Sequence, residues 1–122
     1  MKNKLFWYRQ LYLGNRARKK DIWNCLTDGK VHPRLFLLAF PANPDNVLDI
    51  FPQSELFLIR NRKESLYIVG AAWGKMEAME LAGSIAAEAY RITGSAKVKQ
   101  YLGDDFLSVP EPETGKLYED WE

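Results

Sequence analysis

An apolar run ends at Gly70, then come Gly74 and Lys75, then a long helical pattern. Strand, glycines, lysine and helix is the order of parts in a phosphate-binding loop, G-x-x-x-x-G-K-[S/T]. Here only three residues separate the glycines, and Met76 stands where a magnesium-binding hydroxyl belongs. A helix N-terminus can still hold an anion through its free amides. With Gly74 as N-cap, however, Glu77 falls at the third helical position, where a carboxylate reaches back to the cap and puts negative charge where the anion would sit. Glu77 and Glu80 early in the helix and Arg91 in its last turn are what the helix dipole favours for stability alone. The dinucleotide fingerprint G-x-G-x-x-G is absent. No nucleotide or other cofactor is expected.

Other candidate chemistry is thinner. His32 is the only histidine and Cys25 the only cysteine, so no metal site is expected. A Cys25–His32 nucleophile pair would need the two to meet in space, and Cys25 lies near an apolar helix face, where a thiol behaves as a small hydrophobe. Asp45, Asp49, Asp104 and Asp105 read as turn and solvating carboxylates. The basic front is a fuller candidate. Arg16, Lys20 and Asn24 share a helical face, and Trp7, Tyr8, Tyr12 and Trp23 lie nearby in sequence, as phosphate contacts and stacked bases would require. Lys19 falls in the apolar stripe, so it either snorkels or precedes the helix. A near-neutral pI speaks against a dedicated nucleic-acid binder.

The elements that must hold these residues fit one small α/β (or α+β) domain. The 122 residues are 47% apolar and 13% aromatic, enough for a core without disulfide or metal staples. The charged start lacks a signal-peptide core, and no run approaches membrane-spanning length. The lone cysteine suits a reducing compartment, so a cytoplasmic protein is expected. Residues 1–34 hold nine Lys or Arg against two Asp, while residues 103–122 hold seven Asp or Glu against Lys116. Such a layout attracts itself or opposite partners.

Residues 34–40 and 65–73 read as strands apolar on both faces, as in a covered sheet. In the second, Leu66, Ile68, Gly70 and Ala72 are expected on one side, with Tyr67, Val69, Ala71 and Trp73 on the other. Residues 47–51 read as a short strand stopped by Pro52, and residues 54–60 as either a helix or a strand hairpinned to 65–73. Residues 5–13 are either an edge strand or an irregular lead-in, and residues 16–27 a helix with Ile22, Trp23 and Leu26 inward. Together these give a sheet of three to four strands with one long helix, 75–93, and two or three shorter ones. Ser95 is expected to cap the helix 96–102. Residues 1–103 form the domain, and 104–122 an acidic tail, extended or flexible.

The long helix carries the functional expectation. Glu77, Glu80, Ser84, Glu88 and Arg91 fall within an arc of roughly 80°, and nearly everything else is apolar or small. The helix is therefore expected to be covered on two sides. Small residues around Gly83 and Ala87 imply a close neighbour, either the helix 16–27 or a second copy of the chain, the internal partner being favoured. Met76, Met79, Gly83, Ala86, Ala87 and Tyr90 are the candidate interaction residues. The expectation is a non-catalytic interaction or regulatory protein that self-associates or binds a protein partner through this helix and the acidic tail. Nucleic acid held by Arg16, Lys20 and Asn24 is the alternative, and an anion- or nucleotide-binding enzyme comes third.

Overall fold

Strand β1, Leu5–Leu13, alternates two apolar sets, and the chain gives each set its own layer. Trp7 and Leu11 face one side of the sheet, Tyr8 the other. In the computed structural model, which describes residues 5–43, 45–56, 65–95 and 97–109, β1 is followed by helix α1 (Lys19–Thr27), β2 (Leu35–Ala39), β3 (Asp49–Pro52) and a 3₁₀ turn (Gln53–Glu55). Next come β4 (Leu66–Trp73), helices α2 (Lys75–Thr93) and α3 (Val98–Leu102), and β5 (Phe106–Ser108). The five strands make one mixed sheet in the order β3-β2-β4-β1-β5. β1 runs parallel to β4, and every other neighbouring pair is antiparallel.

Five strands are thus present where three to four are expected, with three helices. The extra strand comes from the acidic C-terminal stretch. Phe106–Ser108 pairs with Phe6–Tyr8, Val109 N–H donates to the Leu5 carbonyl at 2.8 Å, and Arg9 holds Asp105 at 3.0 Å. The sheet therefore extends past residue 103 into the stretch assigned to the tail; residues 110–122 lie outside the described residues. β1 is accordingly an interior strand, not an edge. Pro52 ends β3 inside the strand instead of stopping it earlier, which an edge strand tolerates. β4 lies between β1 and β2; Gln53–Glu55 forms a 3₁₀ turn, and residues 57–60, expected as helix or strand, lie outside the described residues.

Two cores flank the sheet. On one face Ile22, Trp23 and Leu26 of α1 pack with Trp7, Leu11, Leu35, Leu37, Ile68 and Ala71. On the other, Ala78, Ile85 and Ala89 of α2 and Val98 and Leu102 of α3 pack with Tyr8, Leu38, Val69 and Ala72. The sides of β4 are not those expected from plain alternation. Leu66 and Ile68 share the α1 side with Ala71 and Trp73, while Val69 and Ala72 face α2. A β-bulge shifts the parity: Leu38 pairs with Gly70 but Ala39 with Ile68, and an extra residue in one strand reverses every side chain beyond it. Gly70 sits at the bulge because space is short there. A Cβ would lie 3.2 Å from the Tyr12 carbonyl oxygen and 3.4 Å from Leu81 Cδ2.

α1 begins at Lys19, with Arg18 as N-cap, so Arg16 precedes the helix and Lys19 opens it, donating from Nζ to the Arg9 carbonyl. α3 starts at Val98 with Lys97 as its N-cap, and Ser95 Oγ accepts the Lys97 N–H of the preceding turn. α2 ends as expected: Gly94 adopts φ 76° and its N–H donates to the Tyr90 carbonyl.

Candidate functional site

The N-terminus of α2 is closed by its own side chain. Glu77 Oε1 accepts the Trp73 N–H at 2.9 Å, one residue further back than a capping box reaches. The Gly74 N–H donates to the Arg34 carbonyl at 2.8 Å. Arg16 donates to the Trp73 carbonyl and lies 3.6 Å from the Glu77 carboxylate. Gly14 leaves room for that carboxylate, which a Cβ would strike. The amides of Trp73 and Gly74 are therefore spoken for, and a carboxylate paired with Arg16 sits beside them.

Along its inner flank α2 is tied to the sheet by a carboxylate. Glu88 Oε2 accepts hydrogen bonds from Tyr101 at 2.6 Å and Tyr12 at 2.7 Å, linking α2 to α3 and β1. The two phenols hold Glu88 below the ordinary carboxylate value, Tyr101 contributing most and then Tyr12. Burial, followed by the bond to Glu88, raises Tyr12 well above the usual phenol range. The bond to Glu88 also raises Tyr101. Sequence reading places Glu88 in the polar arc and misses these partners, because their neighbourhood depends on β1 and α3 meeting in space.

The pH consequence has a definite sign. The folded value of Glu88 lies below its ordinary 4.5, so its contribution to stability is complete above about pH 4.5. It is lost as pH falls through the folded value. Glu88→Gln keeps the shape and removes the charge. In thermal melts from pH 7 to pH 3, the native midpoint should therefore fall more steeply below pH 4.5 than that of the variant. Parallel acid limbs would contradict the carboxylate's role. On the alkaline side the phenols are raised above 10.0, so the cluster holds until pH passes that value.

On the other core, the His32 side chain is engaged by Asp28, its ring lying 2.9 Å from Oδ2. Burial, with Asp28 and Asp21 adding to it, pushes the Cys25 thiol up to about 11, the opposite of an activated nucleophile. The buried Gln53 side chain fixes this corner by accepting the His32 N–H and donating to the carbonyls of Cys25 and Lys30. The carboxylates are likewise engaged separately, Asp49 by the Ala42 N–H and Asp105 by Arg9. No group of three or more metal-ligating side chains is found among the described residues.

The basic front loses its stacking platform. Trp7 and Trp23 are fully buried and pack edge to face at 5.3 Å, and Tyr8 is buried with its hydroxyl on the Leu102 carbonyl. Arg16, Lys20 and Asn24 are exposed, but Arg16 turns toward the start of α2 instead of joining the other two on one helical face.

What remains is the outer face of α2. Ala78, Ile85 and Ala89 are buried, whereas Met76 is 77%, Met79 56% and Tyr90 62% exposed. The helix is covered on one side, not two. α1 lies across the sheet and is not its neighbour, which overturns the favoured internal partner. No described atom lies within 4 Å of where a Gly83 Cβ would stand. At 100° per residue, Met76, Met79, Gly83, Ala86, Ala87 and Tyr90 fall within an arc of about 100°, opposite the buried stripe. The structure thus brings all six expected interaction residues onto one face, of which only Ala86 is half-covered. No helix among the described residues is long and apolar enough to cross a membrane. No protein-family model matches the chain, and no curated protein or solved structure matches it significantly.

Proposed function

We propose that this chain is a small cytoplasmic interaction or regulatory protein without a catalytic role, and that the outer face of α2 is its contact surface. The observation that carries this reading is the exposure of Met76, Met79 and Tyr90 on one side of a 19-residue helix that buries Ala78, Ile85 and Ala89 on the other. Methionine and tyrosine suit such a role, since a thioether adapts to varied surfaces and a phenol offers large area with a polar tip. Gly83 at the centre costs the helix about 1 kcal/mol relative to alanine, a cost that close approach of a partner would offset. The raised Cys25 thiol and the engaged Glu77 both weigh against the nucleophile and anion-loop readings. The lone cysteine supports a reducing compartment.

A photo-reactive amino acid placed at Met79 in the full chain, expressed in the cells from which it derives, tests the surface. Irradiation should give protein adducts at Met79 and none at Val31, an exposed apolar residue on another part of the chain. Equal adducts at both positions, or none at either, would remove the contact-surface reading.

A further inference from the structure

We infer that the outer face of α2 is covered by a second copy of the same chain, the two helices crossing antiparallel at Gly83. This rests on the contact-surface reading above and names its occupant. The pattern is self-complementary about that glycine. Four residues before it stands Met79 and four after it Ala87; seven before it stands Met76 and seven after it Tyr90. In an antiparallel pair related by a two-fold axis through Gly83, residues equidistant from the centre face each other. Met79 then meets the partner's Ala87, large against small. Met76 meets the partner's Tyr90, a thioether against an aromatic ring. Gly83 meets its own copy, where the absence of a side chain lets the backbones approach.

The charges agree with the same arrangement. Glu80 and Arg91 border one flank of the apolar face, the acid in the N-terminal half and the base in the last turn. Antiparallel pairing brings that flank against its own inverse, so each carboxylate lies toward the partner's Arg91. It also sets Lys75 beside the C-terminal end of the partner helix, where a cation is favoured. A parallel pair would set Met79 level with Met79 and leave Glu80 and the partner's Arg91 on opposite sides of the seam. The chain's own segment 110–122 is the less suited occupant: it carries five carboxylates and one lysine, and would lie along a helix face flanked by Glu80. A single helix crossing is small beside the about 1,200–2,000 Å² of a stable interface, so a micromolar dissociation constant is expected.

Disulfide trapping in a Cys25→Ser background tests the geometry. The full chain carrying Gly83→Cys should form a covalent dimer on oxidation at least tenfold faster than one carrying Met79→Cys. Met79→Cys combined with Ala87→Cys should recover the fast rate. Val31→Cys serves as the collision control. Crosslinking of Met79→Cys as fast as Gly83→Cys, or no variant above the control, would overturn the proposal. Sedimentation of the native chain should show concentration-dependent dimer. Gly83→Leu and Met79→Glu should be monomeric yet folded. At low concentration the first should melt a few degrees above native, since open space surrounds Gly83 and leucine favours a helix over glycine by about 1 kcal/mol. The second should melt close to native, since Met79 is largely exposed. The photo-adducts at Met79 separate the two claims. Adducts of twice the chain mass support self-pairing; adducts only with another polypeptide refute it and leave the contact surface standing; no adducts remove both.

Discussion

Trp7→Ala is expected to cost about 3–5 kcal/mol, a large share of the roughly 5–15 kcal/mol that keeps a domain folded. Trp7 is fully buried in the first half of β1, its ring edge to face with Trp23. It pairs with Ile68 of β4 on one side and Leu107 of β5 on the other. One side chain therefore joins α1 to the interior strand that both neighbours depend on. Chemical denaturation followed by near-ultraviolet circular dichroism should show the midpoint falling severely or the tertiary signal vanishing. A loss below 1 kcal/mol would mean that the Trp7–Trp23 packing is not the centre of this core.

The second large effect discriminates between the two sides of one helix. Ile85→Ala removes a residue that is 1% exposed from the α2 core and should cost about 2–5 kcal/mol. Met79→Ala, six residues earlier on the same helix, removes a side chain that is 56% exposed and should cost under about 0.5 kcal/mol. Alanine suits a helix at both positions, so propensity cannot produce the difference. Comparable losses from urea titrations at low protein concentration would restore the two-sided burial that the composition of α2 suggests.

That contrast marks what the sequence makes legible. The helix 75–93, its terminal glycine and its polar arc follow from 3.6-residue spacing, which is local. Which of its two apolar sides is buried does not, because Ile85 and Met79 are equally acceptable core residues until the sheet is in place. Residues 65–73 read correctly as a strand covered on both sides. Their assignment to sides fails at Gly70, since a bulge depends on register with β2 and leaves no periodic trace in one strand. Trp7 and Trp23 look available for stacking because composition near Arg16 and Lys20 invites it, yet they are consumed by the core. β5 is hidden for the same reason: three residues among carboxylates and prolines become a strand only when β1 offers an edge. The six residues proposed for contact were legible as a group from their size and spacing. Their solvent exposure was not.

The position of β1 in the sheet has a kinetic consequence. β1 is made well before the strands it pairs with: Leu5 pairs with Leu66 and Phe6 with Ser108. Contacts that span so much of the chain slow folding, because their loop-closure entropy is spent before they reward it. During synthesis β1 must wait, with its aromatic residues uncovered, until β4 and then β5 have left the ribosome. A chain cut at residue 103 would never complete that step, and its N-terminal strand would keep an open edge suited to pairing with strands of other molecules.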